Sequence, residues 1–219
     1  MPSKDAARAS TLGCMALPAP VTVPPSIPSP RRLEAWLRAR GGVTHSSDVR
    51  AAGFSGRDIA HLVTNGLAFW ARRSWLVAVG TDAARVAAAR VGGRLTCVRA
   101  ARFLGLWDPR PDGDHDVVHV AVAGNASRLN MDGVRLHWAM PPAPVSRSAL
   151  VDPVVNVLFA VARCLPRGDA LAVWESAIRK GHVEPAILAR VAWRSTSASE
   201  LALLAGDLSD SGLETRFMI

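Results

Sequence analysis

Polar residues between positions 55 and 73 have the types and spacing that recognition of a polyanion needs. Arg57, His61 and Thr64 recur at helical spacing, so a helix would present them on one face. Hydrogen-bonding side chains of this kind can approach base edges in a major groove. Arg72 and Arg73 follow at the expected tip of a β-hairpin, where arginines can contact a phosphate backbone or a minor groove. The candidate DNA-binding residues are therefore Ser55, Arg57, His61, Thr64, Arg72 and Arg73.

An acidic and histidine-rich segment, residues 112–119, is the most conspicuous candidate for metal binding. If it forms a strand, His115 and His119 lie on one face and Asp116 lies on the other. That arrangement is poor for joint ligation, and nothing else in the sequence supplies ligands. A solvated loop that leads into a strand is the preferred interpretation, so no metal site is predicted here.

The cysteines provide no local motif for metal binding or catalysis. Cys14, Cys97 and Cys164 are far apart, and the chain has no CxxC pair and no Cys/His ligand spacing. Reduced thiols in a cytoplasm, without structural zinc, are expected. The sequence also contains no GxSxG, HExxH or P-loop motif, and neither Cys97 nor Cys164 has a histidine close by in sequence to activate a thiolate. We predict no enzyme activity and no cofactor.

Helical and strand patterns predict the elements that would position the polar face. Leu33, Trp36 and Leu37 form the inward face of a first helix, which begins after Pro30 and ends at Gly41. The next elements are a helix from Ser46 to Ala52, the turn Gly53–Ser55, a helix from Gly56 to Asn65, and strands from Leu67 to Ala71 and from Trp75 to Val79. Two helices joined by a tight turn and followed by a hairpin are typical of a winged helix-turn-helix.

The helix from Gly56 has the clearest local signals of these elements. Ser55 is a favourable N-cap, Asp58 completes a capping-box-like pair with it, and Gly66 follows the last turn. Ile59 and Leu62 form its apolar face, which leaves the polar face free to turn outward.

Positive charge is concentrated in the same part of the chain. The formal charge of the whole protein is +8 and the sequence pI is about 11. Residues 31–80 contain eight arginines against Glu34, Asp48 and Asp58, a net charge of +5, so the other 169 residues carry +3. A basic balance favours a polyanionic partner. Charge and helix pattern together predict double-stranded DNA as that partner.

The predicted fold class is α+β and mainly helical. A winged helix-turn-helix is followed by a mixed middle region with a small antiparallel sheet, formed by Val117–Val122 and Val134–Ala139. A C-terminal helical segment comes next, and we expect Asp152 to be the N-cap of its first helix and Pro153 to be the first helical residue. We predict four parts. Residues 1–30 form a disordered Pro-rich leader, and residues 31–80, which we call the head, form the winged helix-turn-helix. Residues 81–205, which we call the body, form an α+β and helical domain, and in the final segment (206–219) Ser211–Glu214 forms a capping box. No apolar run approaches the roughly 18 residues that span a bilayer, so we expect no membrane association and a cytoplasmic location.

Several stretches resemble a known family. The run GGVTHSSDVRAAGFSGRDIAHLVTNGLAFWARRSWLVAV resembles the N-terminal winged helix-turn-helix of AbiEi-like antitoxins from type IV toxin–antitoxin systems. The middle region of actinobacterial members is similar to GGRLTCVRAARFLGLW and to VVHVAVAGNASR with GVRLHW. The helical stretch that follows it in the family is similar to AVWESAIRKGHVEPAILARV. SGLETRF resembles the start of a very-short-patch-repair-like endonuclease domain that is often fused behind it. The resemblance covers about residues 31 to 217.

The resemblance implies a transcriptional autoregulator that binds its own promoter and opposes a nucleotidyltransferase-type toxin. Ser55, Arg57 and the pair Arg72-Arg73 match the basic recognition segment of the family. Ser74 and Leu76 depart from the Gly and Tyr usual after the wing arginines, which implies a differently shaped turn. Of the endonuclease-like domain only Glu214 matches, and the later metal-binding carboxylates are absent, so cleavage by that mechanism is not expected.

Two other functions remain open from the sequence. The body could hold a protein partner, with the head as a scaffold or as part of a toxin-neutralising module that does not bind DNA. The chain could also be an inactive, truncated relative of endonuclease-fused proteins. The oligomeric state is not predicted.

Overall fold

The computed structural model describes residues 30–109, 117–126, 129, 132–138 and 140–210. Three predicted features lie wholly or largely outside these residues: the leader up to residue 29, most of the acidic and histidine-rich segment (112–116), and the capping box at Ser211–Glu214.

Helices predominate over strands in the described residues, which confirms the predicted fold class, α+β and mainly helical. The helices are α1 (Pro30–Ala39), α2 (Ser46–Ala51), α3 (Gly56–Thr64), α4 (Ala83–Val91), α5 (Cys97–Phe103), α6 (Val154–Cys164), α7 (Arg167–Arg179), α8 (Pro185–Arg190) and α9 (Thr196–Asp210). The strands are β1 (Val43–His45), β2 (Ala68–Arg72), β3 (Trp75–Ala78), β4 (Arg94–Leu95), β5 (Val118–Val122) and β6 (Val134–Trp138).

The head contains an antiparallel sheet in the order β1–β3–β2. Strands β2 and β3 form the predicted hairpin. Strand β1 was not predicted, because three residues are too few to show an alternating pattern. It pairs Val43 with Val77 and His45 with Trp75. Strand β1 therefore depends on a long-range pairing rather than on a local signal.

Helices α1, α2 and α3 bury a hydrophobic cluster against one face of this sheet. Leu33 and Leu37 of α1 are fully buried there. Phe54 lies in the turn between α2 and α3, and its ring contacts the Trp36 ring edge to face, with 5.5 Å between centroids. Gly53 precedes it with a φ of 86°, a conformation that glycine adopts without strain. The buried Phe54 side chain thus fixes the turn, and with it α3, against α1.

Helix α4 covers the opposite face of the same sheet. Along β3, Leu76 and Ala78 pack in the cluster formed with α1–α3, whereas Trp75 and Val77 pack with Ala89 of α4. Alternate residues of a strand point to opposite faces, so all four residues of β3 are buried. The head is therefore packed onto the first helix of the body.

The second sheet has the order β4–β5–β6 and is mixed. Strands β4 and β5 are antiparallel, but β5 and β6 are parallel. The predicted pairing of β5 with β6 is confirmed, but the antiparallel orientation expected for this pair is wrong, because the two strands run parallel. Within this sheet only β4 and β5 are antiparallel. Residues 123–133 join β5 to β6, and this length is close to the dozen or so residues that a parallel crossover needs.

The helices of the body pack around a buried tryptophan. Trp174 of α7 is fully buried, and its indole N–H donates a hydrogen bond to the Leu158 carbonyl at 3.1 Å. The expected N-cap of α6, Asp152, proved wrong: Pro153 occupies that position. The Asp152 carboxylate instead accepts a hydrogen bond from Arg94 Nε at 2.5 Å. Within the described ranges, no helix has the length and apolar character to cross a membrane.

Candidate functional site

The polar face predicted for α3 is on the surface. The side chains of Arg57, His61 and Thr64 are exposed, while the helix buries Asp58, Ile59 and Leu62 against the head. None of the three exposed side chains forms a hydrogen bond or an ion pair with another described residue. This face is therefore available to another molecule without breaking an internal contact.

Ser55, the first of the candidate contacts, is engaged in starting the helix. Its Oγ accepts a hydrogen bond from the Asp58 N–H at 3.3 Å and donates one to Asp58 Oδ2 at 2.7 Å. The Ser55 N–H donates to the same carboxylate oxygen at 2.8 Å, which completes a capping box. The side-chain hydrogen bond from Ser55, followed by the backbone one, lowers the pKa of Asp58 from its usual value. The structure gives Ser55 the role of positioning α3.

The two hairpin arginines have different surroundings. The Arg72 guanidinium donates a hydrogen bond to the Val91 carbonyl, at the C-terminal end of α4. Helix C-termini carry partial negative charge, which favours a cation there. A register shift between Trp70 and Arg72 marks a bulge in β2, and bulges commonly re-aim a side chain. Arg73 is exposed and has no hydrogen bond or ion pair to the rest of the described chain. Of this pair, Arg73 is the one free to contact a ligand.

Arg50 is a further exposed arginine that the sequence did not single out. It lies on α2, the helix that precedes α3 in the chain. Its side chain has no hydrogen bond or ion pair among the described residues. Two other arginines of the head are occupied: Arg38 pairs with Glu34 at 3.0 Å, and Arg40 lies 4.0 Å from the centre of the Trp36 ring. The amphipathic pattern of α2 is a signal that could have identified Arg50.

A second constellation lies in the body and brings together two cysteines and two histidines. Cys97 begins α5, His119 lies in β5, His137 lies in β6, and Cys164 ends α6. One ligand atom from each of the four lies within 4.8 Å of every other. His137 Nε2 is 3.1 Å from His119 Nδ1, and Cys164 Sγ is 3.8 Å from the same nitrogen. We call these four residues the Cys/His cluster.

The thiols of the Cys/His cluster influence one another. A hydrogen bond between them, with burial, raises the pKa of Cys97. The same hydrogen bond, joined by those to His119 and His137, lowers the pKa of Cys164 well below its usual value. The cluster therefore favours a thiolate at one of its two sulfurs, and a thiolate is the form of cysteine that binds metals.

Sequence reasoning did not find the Cys/His cluster, because its members come from four separate elements. The expectation of no metal rested on local ligand spacing, and no two of these residues have such spacing. His119 had been considered with His115, which is outside the described residues. Pairing of β5 with β6 places Ala121 opposite His137, and so brings the two histidines to neighbouring positions of the sheet. The parallel pairing was the missing information.

Comparison with known proteins gives no independent assignment. No protein-family model matches the chain, and no curated protein is significantly similar to it. Function must therefore be argued from the geometry of the molecule.

Proposed function

We propose that the protein is a DNA-binding regulator of transcription that binds promoter DNA through a winged helix-turn-helix in the head. The exposed polar face of α3, on which Arg57, His61 and Thr64 have no side-chain partner among the described residues, is the observation that carries this proposal. Polar side chains that a helix does not use in its own folding keep their hydrogen-bonding capacity for a ligand.

The dimensions of α3 suit a recognition helix. An α-helix with its side chains is about 10–12 Å across, which fits a major groove about 12 Å wide, and the nine residues of α3 give it a length of roughly 13 Å. Arg57 lies in the first turn, and the N-terminal residues of a recognition helix are the ones that contact base edges. Arg57 is accordingly proposed as the main base contact.

Arg50 and Arg73, which lie before and after α3 in the chain, also support the proposal. In a helix-turn-helix the first helix crosses the phosphate backbone, a position that suits Arg50 on α2. The tip of the hairpin carries Arg73, which suits a backbone or minor-groove contact. Arg72 is proposed as a structural residue that holds the hairpin to α4.

The antitoxin character of this regulator is proposed from the AbiEi-like resemblance. It would add a cognate toxin as a second partner and autoregulation as the biological role. Neither feature is required for the DNA-binding proposal, which depends on the head alone.

A second candidate function is protein binding by the body. Several large apolar side chains are exposed there, among them Trp138, 48% exposed, and Met140 and Leu203, each 71% exposed. Exposed apolar surface is common, and it indicates a partner only where it is contiguous. This function would be favoured if the product of a neighbouring gene co-purifies with both the wild-type chain and Arg57→Ala, and if neither form of the chain binds DNA.

The DNA-binding proposal is tested by titrating the full chain into fluorescent duplexes. One duplex comes from the region upstream of its own gene, and the other is a scrambled duplex of equal length. We expect tighter binding to the upstream fragment, and Arg57→Ala should lose roughly 5- to 150-fold in affinity, as expected for a base contact worth about 1–3 kcal/mol. Arg190→Ala is the matched control, because Arg190 is an exposed arginine of α8 in the body. Equal losses for the two variants, or no binding to upstream DNA, would refute the proposal.

A further inference from the structure

Two ligand-to-ligand distances in the Cys/His cluster match a tetrahedral metal site, and all four ligand atoms lie within 4.8 Å of one another. With bonds of about 2.3 Å to sulfur and about 2.05 Å to nitrogen, a tetrahedral zinc ion sets its ligand atoms roughly 3.4 Å apart for two nitrogens and roughly 3.6 Å for nitrogen and sulfur. The corresponding distances here are 3.1 Å, between His137 Nε2 and His119 Nδ1, and 3.8 Å, between Cys164 Sγ and His119 Nδ1. Each lies within about 0.3 Å of the ideal tetrahedron.

The chemistry of the four donors selects the kind of metal. Two sulfurs and two imidazole nitrogens in a tetrahedral arrangement are typical of zinc, whereas calcium and magnesium take oxygen ligands. Two thiolates would also neutralise the charge of a divalent cation. That balance matters because Cys97 is fully buried and His119 is only 6% exposed, and an unbalanced buried charge is costly.

The backbone at Cys97 is a separate observation at the same place. Among the described residues, Cys97 is the one non-glycine residue with a positive φ, at 53°. Such conformations are uncommon in non-glycine residues and concentrate at functional sites, where the surrounding structure holds them. Here the Thr96 N–H donates a hydrogen bond to the His119 carbonyl at 3.0 Å, so the residue before Cys97 is held against the strand that carries His119.

We propose that Cys97, His119, His137 and Cys164 bind one zinc ion. Four protein ligands leave no open coordination position, so the site is structural rather than catalytic. It joins α5, β5, β6 and the end of α6 at one point. Strand β6 is at the edge of its sheet and has no fully buried residue, and the metal would fix it to the body through His137. The site belongs to the body and is independent of the DNA-binding proposal.

The first experiment measures metal content in the full chain. Protein expressed with added zinc and purified under reducing conditions should contain about one zinc per chain by elemental mass spectrometry. His137→Ala and Cys164→Ser should each fall below about one tenth of that value. Cys14→Ser and His182→Ala are the matched controls, because they remove the remaining cysteine and an exposed histidine outside the cluster. Both controls should keep the full zinc content.

A second experiment separates loss of a ligand from loss of the fold. His137→Cys keeps four ligand side chains and should retain zinc where His137→Ala does not. Cobalt added to chelator-treated wild type should give the absorption of tetrahedral Co²⁺ with a thiolate charge-transfer band, and this band should strengthen in His137→Cys. Wild-type protein without zinc and without a cobalt spectrum would overturn the proposal. So would unchanged zinc content in Cys164→Ser, or a disulfide between Cys97 and Cys164 in freshly isolated protein.

Discussion

Replacement of Ser55 by alanine tests whether this residue positions α3 rather than contacting DNA. The variant loses the hydrogen bond from the Asp58 N–H at 3.3 Å and the one donated to Asp58 Oδ2 at 2.7 Å. Loss of an N-cap hydroxyl costs about 0.5–2 kcal/mol, typically about 1 kcal/mol. For a protein of this size, about 1 kcal/mol lowers Tm by roughly 2–4 °C.

The cost of Ser55→Ala should also depend on pH. Because the hydrogen bonds from Ser55 lower the pKa of Asp58 in the folded protein, their stabilisation is present above the unfolded pKa of that carboxyl, about 3.8. It is lost as pH falls through the lower folded-state pKa. The difference in free energy of unfolding between wild type and Ser55→Ala should therefore be largest near neutral pH and shrink below pH 3.8.

Urea unfolding followed by tryptophan fluorescence measures this difference, since Trp36 and Trp75 both lie in the head. Ser55→Thr should restore stability, because threonine keeps the hydroxyl, and Thr64→Ala on the exposed face of α3 should change stability by less than about 0.5 kcal/mol. Equal stability of Ser55→Ala and wild type, combined with a large loss of DNA affinity, would refute the positioning role and make Ser55 a direct contact.

Three further predictions concern contacts that the structure distinguishes. Arg72→Ala should lower stability, because the hydrogen bond from Arg72 to the end of α4 is lost. Arg73→Ala should leave the urea midpoint unchanged and weaken DNA binding. The reverse pattern would contradict the structural role of Arg72 and the DNA contact of Arg73. Arg94→Ala leaves the buried Asp152 carboxylate unpaired and should cost about 3–5 kcal/mol, and the double variant with Asp152→Ala should recover part of that loss. Asn156→Ala removes two hydrogen bonds to the backbone of residue 143, at 2.8 and 3.0 Å, and should cost about 1–3 kcal/mol in the same unfolding assay.

Local signals in the sequence predicted helix α3 well. The pair Ser55 and Asp58 identified the start of α3, and the spacing of Ile59 and Leu62 identified its buried side, because caps and helical periods depend on residues a few positions apart. The exposure of Arg57 follows from the same pattern. DNA contact by this face stays a prediction.

Long-range pairings account for what the sequence did not show. Asp152 has the residue type and position of a helix cap, but Arg94 in β4 competes for its carboxylate. Strand β1 exists because β3 provides a partner. The Cys/His cluster depends on the parallel pairing of β5 with β6, which no spacing in the chain records. In each case the deciding partner is far away in sequence.

The dependence of DNA affinity on salt tests the central proposal most directly. If Arg50 and Arg73 each neutralise a phosphate, the logarithm of affinity should fall with the logarithm of salt concentration with a slope of roughly −2 per bound chain. Arg73→Ala should reduce the magnitude of that slope by about 1, and Arg190→Ala should leave it unchanged. A slope near zero, or the same change for both variants, would contradict DNA recognition by the head.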